Sequence, residues 1–230
     1  MCLIKVEEDL WILEGDRVKM LSIPFTTRMT IVRLRDNRLW LHSPIAPTPE
    51  RFSKISNLGE VAHIVAPNIL HHLFVGQWIS KYPNAKLWGV EGLPEKRQDL
   101  KFDGVLNDCA ESEWKHEIDQ LYFQGSKILP EVVFLHKQSG TLIITDLIQN
   151  HDPVMENWFW RFIKKVNGVL SPNGGVPKDL RMTIRDKDKA RKSLQKMLSW
   201  DFDRLIIGHG LCIEENAKKY VLDSFSWLMA

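Results

Sequence analysis

Between residues 61 and 90 the hydrophobic period changes twice, and this constrains the fold more than any other feature of the chain. Residues 61–66 form a nearly continuous apolar run of strand length. Residues 70–81 then set Leu73, Phe74, Trp78 and Ile79 on one helical face, and residues 86–90 return to a strand pattern after the turn signal Tyr82-Pro83-Asn84. Strand, helix, strand is the repeating unit of a sheet with helices packed outside it.

The flanking segments extend the pattern. Residues 10–13, 18–23, 29–34 and 39–42 are short apolar runs broken by turn signals such as Asp36-Asn37, the signature of an antiparallel meander. Thr48-Pro49-Glu50 reads as a helix start, with Phe52, Ile55 and Leu58 at helical spacing before Gly59. After a stretch over 91–115 that is mostly loop, residues 120–124, 131–136 and 141–148 read as strands. Residues 155–166 form an aromatic helix whose Trp158, Phe159, Trp160 and Phe162 are too many for one narrow stripe, so a neighbour is expected to cover part of it. A Pro/Gly-rich loop over 171–177, a basic amphipathic helix over 187–200, a short strand over 204–207 and a closing helix over 214–228 complete the chain. The order meander, helix, strand occurs twice, which predicts one α/β domain with two mixed sheets in a four-layer αββα sandwich.

The 230 residues are 44% hydrophobic, enough to bury one sizeable core. The 31 basic and 29 acidic residues are interspersed, and the charge run over 187–196 reads as a solvated helix face, so neither a nucleic acid nor a membrane is expected as a partner. No apolar run approaches the roughly 20 residues that span a bilayer. Cys2, Cys109 and Cys212 lie far apart, which argues against a disulfide framework and against a thiolate zinc cluster. The opening residues run straight into Glu7, Glu8 and Asp9 without the basic start and apolar stretch of a signal peptide, so a reducing, cytoplasmic setting is expected.

Three polar clusters end strands: Asn68 with His71 and His72, Asp146 after residues 142–145, and His209 between Gly208 and Gly210. Loops leaving strand ends are where α/β architectures build sites, because side chains from different strands converge there. Three imidazoles and a carboxylate suit zinc, or iron or manganese. Each residue also has a plainer reading: His71 and His72 as polar residues of a strand-helix turn, Asp146 as a cap, His209 as a tight-turn residue. His136, at the other end of its hairpin from Asp146, reads as a surface residue. His42 and His151 are candidates to hydrogen-bond a ligand and fix its orientation. Most of the nine Trp read as core, with Trp158 and Trp160 as candidate pocket walls.

The order of these segments resembles the metallo-β-lactamase superfamily over nearly the whole chain. Residues 29–34 and 39–44 resemble its first strand pair, with His42-Ser43-Pro44 where the family often has Asp, a small residue and Gly. In the family's H-x-H-x-D-H loop, Pro67 and Ile69 stand at the two leading His positions, His71 at the Asp and His72 at the last His. The His of the family's next Gly-His turn has no counterpart near Gly125-Ser126-Lys127. Asp146 resembles the bridging Asp, and His209 the terminal His. The first-site ligands are missing, while the second site keeps three matches and gains His71 for Asp. The resemblance therefore implies a divergent branch with a reduced site, one ion held by His71, His72, Asp146 and His209, and Asp146 and His72 in the catalytic position. Imidazole for carboxylate adds one positive unit to the site, which favours zinc over hard divalent ions.

The activity so implied is metal-dependent hydrolysis of a small ester, thioester, amide or phosphoester, with no choice among them. Four protein ligands would close a tetrahedral zinc, so catalysis would need a five-coordinate ion or the release of one ligand, His71 first. The alternative is a fold that has kept its shape without its chemistry, with a structural metal or an empty cleft that binds a small molecule or a protein. Nucleic-acid processing, a third class in the superfamily, usually comes with a fuller metal site and extra domains, neither visible in this sequence.

Overall fold

The structure, a computed structural model, describes residues 3–229. β1 (Leu3–Glu7) and β2 (Leu10–Glu14) open an antiparallel run, β3 (Val18–Met20) and β4 (Ile23–Phe25) form a separate hairpin, and β5 (Arg28–Arg33) and β6 (Arg38–His42) continue the run. α1 (Pro49–Ser56) starts on the Thr48 hydroxyl, which accepts the Arg51 N–H at 3.2 Å, with Pro49 in the first turn where no amide is needed. β7 (Glu60–Ala66), α2 (Val75–Lys81), β8 (Lys86–Gly89), α3 (Leu93–Lys96) and β9 (Gly104–Val105) follow, and β6 to β9 run parallel. The seven strands are ordered β1-β2-β5-β6-β7-β8-β9.

The second sheet begins with antiparallel β10 (Ile118–Phe123), β11 (Glu131–His136) and β12 (Thr141–Ile144). The chain then passes through α4 (Trp158–Asn167), α5 (Lys178–Thr183) and α6 (Lys187–Ser199) to β13 (Arg204–Ile207), which pairs parallel to β12, and ends in α7 (Ala217–Ser224) and α8 (Ser226–Met229).

Side-chain alternation sorts this sheet between two cores. Val132, Phe134, Ile143 and Ile206 join the core of the larger sheet, while Val133, Leu135, Leu142, Ile144, Leu205 and Ile207 pack with Leu180, Leu194, Met197, Val221 and Phe225 from the helices. α1 and α2 pack on the outer face of the larger sheet. The result is the expected αββα sandwich with two mixed sheets. An aromatic knot ties the larger core: buried Trp114 lies 4.9 Å from Trp88 and 6.4 Å from Trp40, ring to ring, and Phe134 brings the second sheet to 5.0 Å from Trp40. Truncating such a ring to Ala typically costs about 3–5 kcal/mol.

Several local expectations change. β1, an edge strand with exposed Ile4 and Lys5, carries little apolar signal. The apolar run over 18–23 is broken into a hairpin by Leu21 and Ser22, both at positive φ (49° and 69°). α2 begins at Val75 rather than residue 70, leaving the His71 and His72 segment as a turn, and the stretch over 91–115 contains α3 and β9. Little of the aromatic face of α4 is covered: Trp158 is 80% exposed and Phe162 60%, and only Trp160 of the four aromatic residues is half-buried. What this helix buries is Lys164, which donates to Glu156 Oε1 at 2.8 Å and to the Pro24 carbonyl at 2.6 Å. Cys109 and Cys212 are unpaired, and Cys2 lies outside the described residues. Among the described residues no helix is long and apolar enough to cross a membrane.

Candidate metal centre

Strand register builds half of the site. Ile144 of β12 pairs with Ile207 of β13, so the second residue beyond each strand, Asp146 and His209, emerges side by side. Gly210 then turns the chain at φ +101°, where a Cβ would stand 2.0 Å from the Asn150 carbonyl oxygen. Buried Arg28 braces this turn from β5 by donating to the carbonyls of Ile207 and Gly210, and Glu14 balances its charge. The third member, His71, comes from the turn after β7.

His71, Asp146 and His209 bring one ligand atom each within 4.8 Å of one another. His71 Nε2 and His209 Nε2 are 3.1 Å apart, His209 Nε2 is 3.1 Å from Asp146 Oδ1, and His71 Nε2 is 3.2 Å from Asp146 Oδ2. The opposite ring nitrogens are engaged. His209 Nδ1 lies 2.6 Å from the Thr26 carbonyl, which can only accept, so the proton of neutral His209 sits on Nδ1 and the Nε2 lone pair faces Asp146. His71 Nδ1 meets the Ser43 hydroxyl at 2.5 Å, and Ser43 holds this position at φ +54°. Two nitrogens and a carboxylate focused this closely require a proton or a cation between them. The separations fit one ion, since a tetrahedral centre with bonds of about 2.0–2.2 Å spaces its ligand atoms by roughly 3.4 Å. Burial opposes the charge on Asp146, yet the His71 and His209 imidazoles hold its carboxyl well below the usual carboxylate range.

A buried amide and a buried carboxylate support this triad. Asn68 Oδ1 accepts the backbone N–H of Leu70 (2.8 Å) and His71 (2.9 Å), while its Nδ2 donates to Asp146 Oδ2 (2.8 Å) and Thr145 Oγ1 (3.0 Å). One side chain thus fixes both the His71 turn and the Asp146 carboxylate. Glu131 accepts the N–H groups of Thr145, Asp146 and Leu147 at 2.7–3.0 Å. Burial and the nearby Asp146 charge push the Glu131 carboxyl up to about 7. On the other flank, Lys164 Nζ donates to His151 Nδ1 (3.1 Å), which leaves His151 Nε2–H to donate to Gln149 Oε1 (3.1 Å), and Gln149 Nε2 donates to Asp146 Oδ1 (3.3 Å). Burial, with Lys164 and His209 beside it, pushes His151 down to about 2, so this chain keeps one direction.

The fourth expected ligand, His72, is not in the triad, although it lines the same cavity: Arg97 Nη1 donates to its Nδ1 and to its carbonyl, both at 3.0 Å. Burial, Lys96 and Arg97 push His72 down to about 4, and the same cations oppose a metal ion on it. The turn over 69–74 decides between neighbouring histidines by directing His71 at Asp146 and His209. His42 does not support a ligand either, because it stacks on Trp40 and its Nε2 has no hydrogen-bond partner. His136 is buried rather than on the surface, bonded to Ser139 at the far end of the hairpin. Asn68 belongs to the polar cluster read from the sequence, though not as a support; Thr26, Arg28 and Gln149 carry no local signal, and Glu131 shows only as a lone Glu opening an otherwise apolar strand.

Two cavities meet at the triad. One, of about 220 Å³, reaches His71 and His209 past Pro44, Ile45, Leu73 and Phe74. The other, of about 310 Å³, lies between the β3–β4 hairpin, α4 and α5. Met20, Phe25, Leu70 and Asp146 line both. The α4 residues in these walls are Ile163, Lys164 and Asn167, in place of the expected Trp158 and Trp160.

A family model described as a domain of unknown function, DUF4336, matches residues 7–156. The chain belongs to the DUF4336 family. No curated protein sequence matches this DUF4336 chain. Solved structures share its fold at low identity. A metallo-β-lactamase from Pontibacter korlensis superposes with a TM-score of 0.66 at 12% identity, covering 99% of this chain and 98% of that one. The DIM-1 metallo-β-lactamase exposed to ceftazidime gives 0.65 at 14% identity, covering 98% and 96%. The metal-soaked Flv1 flavodiiron core from Synechocystis sp. PCC6803 gives 0.66 at 13%, covering 99% of this chain and 60% of that one. The DUF4336 chain therefore has the metallo-β-lactamase fold, carrying a His/Asp group suited to a metal.

Proposed function

We propose that this protein is a metal-dependent hydrolase of a small ester, thioester, amide or phosphoester, with one ion held by His71, Asp146 and His209. The reading rests on the 3.1 Å approach of two Nε2 atoms whose opposite nitrogens are already bonded to Thr26 and Ser43. Three protein ligands leave a tetrahedral ion one open position, the arrangement of catalytic rather than structural zinc sites. Zinc is the first choice for two imidazoles and a carboxylate, with iron or manganese next. A bound divalent ion supplies Lewis-acid activation, lowering the pKa of water toward about 7.

The chain's own residues do the rest. Thr26 fixes the His209 tautomer, Asn68 and Gln149 hold the two Asp146 oxygens, and the apolar walls keep bulk water from the reacting bond. The test is reconstitution of chelator-treated protein with zinc, iron or manganese, followed by a panel of activated esters, thioesters, amides and phosphoesters. Turnover restored by one metal and abolished in His209→Ala supports the reading, and no turnover with any metal contradicts it.

A second reading has one observation in its favour. Among the described residues this is the one group of three ligating side chains, so a bridged pair of ions is not provided. A fold that retains a structural ion would bind metal and show no turnover, and one left with an empty cleft for a small molecule or a protein would show neither.

A further inference from the structure

We propose that the substrate is an ester of an unbranched aliphatic carboxylic acid, whose acyl chain lies in the cavity between the β3–β4 hairpin, α4 and α5. This rests on the hydrolase reading and narrows its substrate. The cavity opens directly onto Asp146, and its walls are Ile23, Ile69, Ile128, Leu129, Ile163 and Leu180. Ile128 is 64% exposed and Met20, shared with the first cavity, 42%, so apolar surface runs from solvent toward the triad along one side of the cavity, while Asn167, Asp179 and Thr183 are polar on the other. The charged groups of the wall do not suit an anionic chain end. Lys164 is committed to Glu156, Pro24 and His151, and Asp179 repels a carboxylate or phosphate. The uncharged polar side chains of the wall already have partners, Gln149 with Asp146 and His151, Asn167 with Asp179, and Thr183 with Ser126 and the Leu180 carbonyl, so a polar substrate would have to displace them, whereas an alkyl chain needs none.

The first cavity differs in its charge. It carries Lys19 and Lys96 beside His71 and His72, which suits the polar alcohol portion. With the acyl carbonyl over the triad, the oxygen of a water bonds to the carbonyl carbon and the bond from that carbon to the alcohol oxygen breaks. The alcohol oxygen takes one proton of the water, and the carboxylic acid formed gives its own proton to solvent.

Product binding tests the chain site without turnover. Butanoate, octanoate and dodecanoate are titrated calorimetrically into the full chain, both chelator-treated and zinc-loaded, in parallel with hydrolysis of 4-nitrophenyl acetate and measurement of bound metal. Affinity should rise by about three- to fourfold per methylene until the cavity is filled, as expected for burial of CH₂ groups. Ile128→Asp, a substitution at an exposed wall position, should weaken dodecanoate at least tenfold and leave butanoate unchanged. Affinity independent of chain length, or an unaltered dodecanoate affinity in Ile128→Asp, overturns the proposal. The two readings fail distinguishably: acetate ester hydrolysis with no chain-length dependence removes the acyl site alone, and chain-dependent binding by a protein that takes up no metal removes the hydrolase reading, and with it the ester substrate, while the cavity remains a site for an aliphatic chain.

Discussion

Glu131 Oε2 accepts the backbone N–H of Asp146 at 2.9 Å and that of Leu147 at 3.0 Å, so a residue opening β11 sets the backbone of the carboxylate leaving β12. Neither side chain reaches solvent appreciably, with Glu131 2% and Asp146 5% exposed. Removing the acceptor would strand three buried N–H groups, each costing about 1–3 kcal/mol unless water enters. Glu131→Ala should therefore lose about 3 kcal/mol or more of stability, and Glu131→Gln, which keeps one acceptor oxygen, less. Denaturant midpoints of the two variants check this, and equal losses would contradict it.

Asn68 acts on the site as well as on the fold. Asn68→Ala frees the His71 turn and Asp146 Oδ2 together, and loss of a partner outside the ligand set typically lowers metal affinity about 10- to 100-fold. Competition with a chelator dye measures the change. An affinity within twofold of wild type would show that Asn68 does not orient the ligands.

Gly210→Ala tests the turn that presents His209. A side chain there must adopt φ near +101° and meet the Asn150 carbonyl, so the variant should lose more than about 1 kcal/mol and bind metal less tightly. Full retention of both properties would mean that the turn reshapes freely.

Away from the site, His63 gives a pH dependence of known sign. Burial, opposed by Glu113, lowers it to about 4, whereas the unfolded chain titrates near 6.5. Between those values the unfolded state binds the extra proton, so the His63 contribution is complete above about 6.5 and is lost as pH falls toward 4, by at most about 1.4 kcal/mol per pH unit. Glu131, raised to about 7, has the opposite sign, so the difference between wild type and His63→Gln isolates the histidine. The unfolding free energy at pH 7.5 minus that at pH 5.5, taken with its sign, should be smaller in the variant than in wild type, and equal signed differences would contradict the assignment.

The parts of the fold that were legible in the sequence are those where burial imposes a period. The runs over 61–66, 131–136 and 204–207 lie in strands buried on both faces, and Asp146 and His209 stand out because each follows such a run directly. The choice between His71 and His72 was not legible, because a helix from residue 70 and a turn to residue 74 aim adjacent side chains in different directions. Asn68 and Glu131 were not legible as supports: the partners of Asn68 lie 77–78 residues along the chain and meet it only where the two sheets pack, and Glu131 reaches residues 145–147 through the register of the β11–β12 pair beyond its last paired residues. The partial cover expected for the aromatic helix over 155–166 reaches only Trp160 among its aromatic residues, because an aromatic composition signals affinity for an apolar neighbour while the chain places buried Lys164 on the inner side of α4.

Whether a single ion sits on His71, Asp146 and His209 is read out by metal content per chain, from elemental analysis of wild type, His71→Ala, His72→Ala and His209→Ala after reconstitution and gel filtration. About one ion is expected in wild type and in His72→Ala, and close to none in His71→Ala and His209→Ala. A wild type that holds no metal, or a His72→Ala variant that loses it while His71→Ala keeps it, would rule this ligand set out.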